Sequence, residues 1–154
     1  MPRKHRAVPT SHAAPRVRSA PVTPADSAIL DELADDDVSL VPQMRVPPEA
    51  LAGLARHGYS DSEISALVIP KRTLARRRAR REQLTVEETD RALRLARIAK
   101  LAERVFGNSE KAHRWLRKPK QALKGATPVQ FLASEASARV VERMLHRIQH
   151  GMFA

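Results

Sequence analysis

Cysteine is absent from this 154-residue chain, which excludes a disulfide framework and a thiolate metal site; a reducing, cytosolic setting suits such a composition. Aromatic residues number five (one Trp, one Tyr, three Phe), and glycine is equally scarce. Alanine, leucine and arginine are common instead, while β-branched and aromatic residues are few, so a sheet is disfavoured and an all-α fold is expected. No apolar run is long enough to cross a bilayer, and the basic N-terminus lacks the apolar stretch of a secretory signal. A Gly-rich phosphate loop, a nucleophile elbow and a recognisable carboxylate dyad are also missing. The sequence therefore supports neither catalysis nor a cofactor. The one metal-like spacing, His146-x-x-x-His150, has no third ligand and no Glu directly after its first His. It is expected to be a surface pair, and His113 a helix-surface residue.

What the chain has in excess is positive charge. Lys and Arg total 28 against 17 Asp and Glu, a net charge of +11, which favours an acidic partner with nucleic acid as the leading candidate. Position matters more than the total. Met1–Val46 is rich in Pro, Ala, Ser and charge, first basic (Arg3, Lys4, Arg6, Arg16, Arg18) and then acidic (Asp26, Asp31, Glu32, Asp35–Asp37). It offers too little apolar surface to offset its ordering entropy, so it is expected to be a flexible tail, with a short helix over Ala25–Leu33 as its only structured option. A basic arm touching DNA phosphates is the functional alternative for its first part.

The pattern changes at Pro47. Pro48 suits the first turn of a helix with Leu51, Leu54 and Ala55 on one face, ending near Gly58. Ser60-x-x-Glu63 and Thr85-x-x-Glu88 are capping boxes. The first opens a helix with Ile64, Leu67 and Val68, broken at Ile69-Pro70. The second opens a long helix with Leu93, Ala96, Leu101 and Val105 on its apolar stripe. Between them, a helix from Lys71 to about Gln83 carries the densest positive charge in the chain and only Leu74 as a clear anchor. Two short helices around a tight turn, the second basic, form the helix-turn-helix pattern. Arg suits this role because its planar fork matches guanine edges and phosphates alike. Lys71, Arg72, Thr73, Arg76 and Arg77 are the expected groove contacts, and Arg78, Arg80 and Arg81 phosphate contacts. The bland alternative is a charged face paired to Glu63, Glu82, Glu87 or Asp90.

Further on, Val105-Phe106-Gly107 ends the long helix, Asn108 caps the next, and Ala112, Trp115 and Leu116 follow at helical spacing. Trp115 and Phe106 are expected core anchors. Thr127-Pro128 starts a short helical turn with Phe131 and Leu132. Ser134 caps a final helix with Ala138, Val141, Leu145 and Ile148, and Gly151 ends it.

The run Ile69-Pro70-Lys71-Arg72-Thr73-Leu74-Ala75-Arg76-Arg77, then Leu84-Thr85-x-x-Glu88-x-Asp90-Arg91, resembles the Xre-like helix-turn-helix of Xre/MbcA/ParS-type antitoxins. The order Val105-Phe106-Gly107, Ala112-x-x-Trp115-Leu116, Pro119, Leu123 and Gly125–Pro128 resembles the toxin-binding domain of the same family. Ser137 departs from it, standing where the family usually has glycine. The resemblance spans about Pro47 to Ala154 and implies a tail over 1–46, a DNA-binding domain over 47–98 and a toxin-binding domain over 99–154. It also implies operator binding and repression of the chain's own operon. As partner it implies a RES-type, NAD-consuming toxin, whose site Gln149, His150, Gly151, Met152, Phe153 and Ala154 would occlude. Half-sites read by two-fold symmetry add a homodimer within a hetero-oligomeric complex. The alternative is a plain helix-turn-helix regulator with a dimerising C-terminal domain.

Overall fold

The structure, a computed structural model, describes residues 23–35 and 43–151, and among these every regular element is helical. Helix α1 is Pro24–Asp35. A 3₁₀ turn, Pro48–Leu51, leads into α2 (Ala52–Arg56). Then come α3 (Asp61–Leu67), α4 (Lys71–Arg80), α5 (Val86–Phe106) and α6 (Ser109–Arg117). Two 3₁₀ turns, Gln121–Leu123 and Pro128–Ala133, precede α7 (Glu135–Gln149). The expected helix-turn-helix and the helical C-terminal unit are both present.

The long helix α5 is the spine. Its buried positions, among them Ala92, Leu93, Leu95, Ala96, Ile98, Ala99, Leu101 and Ala102, run around most of its girth, so other helices must cover it on several sides. Helices α1, α6 and α7 all pack on it, and one apolar cluster joins Leu30, Leu54, Ile64, Leu116 and Leu145. Both predicted capping boxes form. The Ser60 hydroxyl accepts from Glu63 N at 3.2 Å and the Glu63 carboxylate accepts from Ser60 N at 2.8 Å; the Thr85–Glu88 pair repeats this at 3.1 and 2.8 Å. Gly107, at φ 62°, takes the left-handed conformation that terminates α5.

The short helix that the sequence offers over Ala25–Leu33 forms, running over Pro24–Asp35, and it is docked on the core, with Leu30 fully buried. Thr23 opens it, with its backbone N–H and hydroxyl both donating to the Asp26 carboxylate. Ile29, Leu33 and Ala34 pack against the core beside Leu30. The helix lies so close to α2 that a Cβ on Gly53 would sit 2.5 Å from the Ser27 carbonyl oxygen, a contact only glycine permits. Arg56 donates to that same carbonyl, and Lys100 from α5 donates to the carbonyl of Asp31 at 2.8 Å. The basic residues Arg3 to Arg18 and the acids Asp36 and Asp37 lie outside the described residues.

His57 follows α2, with Nδ1 3.1 Å from the Glu103 carboxylate and Nε2 beside Asp31. It joins α1 to α5. Tyr59 is buried, donating its hydroxyl to the Leu95 carbonyl at 3.0 Å; burial, the largest influence, raises its pKa far above the ordinary phenol value. His113 differs from its surface assignment: its ring lies where a Cβ on Gly58 would fall, and its Nε2 is 3.7 Å from Glu103.

Leu30→Ala should remove about 2–5 kcal/mol of stability by leaving a cavity under α1. The urea midpoint reads this directly; an undocked tail helix would leave the midpoint unmoved.

Candidate functional site

Helices α3 and α4 are set at their angle by the turn Val68-Ile69-Pro70, whose two apolar residues are buried. Ile69 N–H donates to the Ile64 carbonyl at 3.2 Å, and the first amide of α4, at Lys71, donates to the Ser65 hydroxyl at 3.3 Å. From α5, Arg91 donates to the Val68 carbonyl at 3.3 Å. The turn is thereby fastened to the spine.

The basic helix α4 contains no buried residue at all, and Leu74 is its half-buried anchor. Lys71, Arg72, Arg76, Arg78 and Arg80 are exposed, as is Arg81 just beyond it, and Thr73 is half-buried. Among the described residues, Lys71, Arg72, Arg76 and Arg78 have no side-chain ion pair. Arg80 reaches Glu82 only at 3.7 Å with most of its side chain in solvent. A row of cations held without carboxylate partners is open to an anionic ligand.

Arg77 departs from the set. Its side chain is 14% exposed, with Nε 2.9 Å from Glu88 Oε2 and Nη2 donating to Glu88 Oε1 at 3.2 Å. It also reaches Glu82 and the Gln83 carbonyl. Glu88 is itself buried and caps α5, so Arg77 ties the end of α4 to the start of the spine. Proximity in sequence to Arg76 conceals this; the Glu that binds Arg77 lies eleven residues on, beyond a loop. Of the carboxylates expected against this helix, Glu82 does meet Arg77 and Arg80, whereas Glu63 pairs with Arg117 of α6 at 2.7 Å.

The C-terminal unit is built on α6, the two 3₁₀ turns and α7. Asn108 caps α6, accepting from Lys111 N–H at 2.9 Å, and Ser134 caps α7, accepting from Ser137 N–H at 3.2 Å. The Ser137 hydroxyl returns a bond to the Ser134 carbonyl at 3.1 Å, so Ser137 joins the cap. Ala138, Val141 and Leu145 are buried as expected, whereas Ile148 is only half-buried. Trp115 is also half-buried, its ring 5.7 Å from that of Phe106 and 4.8 Å beneath the Lys120 ammonium. Of the expected toxin contacts, Gln149, His150 and Gly151 are exposed at the end of α7, and Met152, Phe153 and Ala154 lie outside the described residues. His146 and His150 are exposed, and no group of three potential ligands that could hold a metal occurs among the described residues.

Comparison with known families matches residues 45–97 to the antitoxin Xre-like helix-turn-helix domain, and residues 101–151 to the antitoxin Xre/MbcA/ParS C-terminal toxin-binding domain. The chain belongs to the Xre/MbcA/ParS antitoxin family. Among its relatives, an Antitoxin Xre of Pseudomonas putida is 48% identical over 84 residues, covering 54% of this chain and 53% of the relative. An Antitoxin Xre of Yersinia enterocolitica is 34% identical over 92 residues, covering 59% and 62%. A Prs ADP-ribosylating antitoxin of Sphingobium is 33% identical over 98 residues, covering 58% and 62%. The chain thus spans between half and two thirds of these relatives. Helix α1 precedes both family matches.

The antitoxin C-terminal unit is fastened to the spine by charge. Arg94 Nε and Arg97 Nη2 meet the two oxygens of Glu135 at 3.0 and 2.9 Å. Burial works to raise the Glu135 carboxyl, but hydrogen bonds and charge from Arg97 and Arg94 together outweigh it and hold the group below its ordinary value of 4.5. Glu63 is depressed in the same way against Arg117 and Ser60. A folded-state pKa below the unfolded one contributes stability above the ordinary value and loses it as pH falls. Stability should therefore drop as pH is lowered through and below 4.5, and Glu135→Gln should flatten part of that drop in urea titrations at stepped pH.

Arg77→Ala should cost about 1–3 kcal/mol by leaving buried Glu88 short of its partner. Arg72→Ala and Arg76→Ala should each stay within about 0.5 kcal/mol in the same thermal unfolding assay.

Proposed function

We propose that this chain is the antitoxin of a type II toxin–antitoxin pair, with two separable binding activities. The region of residues 47–98 binds operator DNA and represses the chain's own operon. The region of residues 99–154 binds and occludes a toxin of the NAD-consuming RES type. The observation that carries the DNA half is α4 itself: Lys71, Arg72, Arg76 and Arg78 stand in solvent without acidic partners among the described residues, on a helix fixed by Ser65, Arg91 and Arg77. Neutralised phosphates release counterions, so four or more unpaired cations on one short helix give strong, salt-sensitive attachment. Lys71, Arg72, Thr73 and Arg76 lie at the N-terminal end that meets base edges in this motif, with Arg80 on the backbone. Arg77 is assigned to holding the helix.

The toxin half draws its support from the family match over 101–151 and from the relatives' names, one of which specifies ADP-ribosylation. The contact set begins at the exposed Gln149–Gly151 and continues through Met152, Phe153 and Ala154. Homodimerisation accompanies operator binding, because paired half-sites demand two recognition helices.

Arg72→Ala with Arg76→Ala should weaken binding to the DNA upstream of this gene by at least tenfold in 100 mM salt. It should also leave neutralisation of the adjacent toxin gene, scored by growth and cellular NAD, unchanged. Undiminished DNA binding would remove α4 from the interface.

A further inference from the structure

Helix α7 presents two apolar edges. Ala138, Val141 and Leu145 form the edge buried in the core. Val140, Met144 and Ile148, at i, i+4 and i+8, form a second edge beside it. These three are half-buried, and none belongs to the half-buried residues packed against the core cluster. A helix with one core-facing edge needs only that edge to fold; a second apolar row is surplus to the fold.

Charge along the outer border of this row is one-sided. Arg143 and Arg147 are exposed at helical spacing, and neither has an ion pair among the described residues. Glu142, the nearest acid in sequence, lies farther round the helix from the apolar row, with His146, Arg139, Arg97 and Glu135 around an open depression whose rim Arg143 also reaches. Two copies of α7 laid antiparallel about a two-fold axis would bring these arginines against their own counterparts, which like-charge repulsion opposes. A partner with an apolar ridge bordered by carboxylates meets no such penalty.

We propose that Val140, Met144 and Ile148, bordered by Arg143 and Arg147, are the rail on which the toxin seats, through an apolar ridge flanked by acidic residues. This rests on the antitoxin function proposed above and specifies which face of the C-terminal unit engages. It also places the expected contacts at Gln149–Gly151 at the end of the same rail, since Ile148 directly precedes them.

The test uses the full chain and the protein encoded by the adjacent gene, purified together and measured by titration at low and high salt. Met144→Glu with Val140→Glu should raise the dissociation constant by about 100-fold or more, because a charge would be buried against the ridge. Arg143→Glu with Arg147→Glu, both solvent-exposed and harmless to the fold, should slow association by about tenfold at low salt and much less at high salt. Thermal unfolding and DNA binding should match wild type for the arginine variant. Wild-type-like affinity and association rate in both variants, beside a tight wild-type complex, would overturn the rail while leaving the antitoxin function standing. Failure of the wild-type chain itself to bind would overturn both. A wild-type dimer that the Met144→Glu variant converts to monomer would assign the row to a second copy and also overturn the proposal.

Discussion

A helix that is apolar around most of its girth cannot stand in water, and that constraint on α5 organises everything else in this molecule. Alanine at 92, 96, 99 and 102 keeps its surface low, so neighbouring helices approach closely. Leucine and isoleucine at 93, 95, 98 and 101 then supply the bulk that those neighbours cover. α1, α6 and α7 each bury part of this surface, and even the short α2 touches it. Polar tethers reinforce the coverage at its edges, with Tyr59 on the Leu95 carbonyl, His57 on Glu103, and Arg94 and Arg97 on Glu135.

Against that crowded spine, α4 is the exception. It buries nothing fully, and its own burial contributes little to its stability. Anchors at its ends hold it instead: the Ser65 hydroxyl on its first amide, and Arg77 on the buried carboxylate that caps α5. A helix held by its ends leaves its flank free of packing obligations. This is why so many arginines can stand there without destabilising the core, and why one of them must be withdrawn to serve as the tether.

Much of this organisation was legible in the sequence, because it is written at short range. The capping boxes at Ser60 and Thr85, the caps at Asn108 and Ser134, and the glycine stop at Gly107 are patterns within four residues, and the structure forms each of them. The Thr23-Pro24-x-Asp26 start of α1 was equally local, yet the acids around it masked an apolar row of Ile29, Leu30 and Leu33 whose cover lies on α2 and α5. What sequence could not supply was pairing over distance. Arg77 finds Glu88 across a loop, Glu63 finds Arg117 fifty-four residues away, and His113 lies under Gly58. For the candidate site, the basic helix was visible from the local run of charge between the two capping boxes. The division of its arginines between free and tethered, and the second apolar row of α7, required the fold.

Helix α5 spans about 30 Å without a break, and the expected boundary near residue 98 falls inside it. The two units therefore share a rod and have no hinge between them. Whatever is bound along α4 is carried at a fixed bearing from whatever seats on α7, as two tools on one handle. On the function proposed above, a bulky guest at the C-terminal unit would constrain how closely two such rods stand side by side on one duplex.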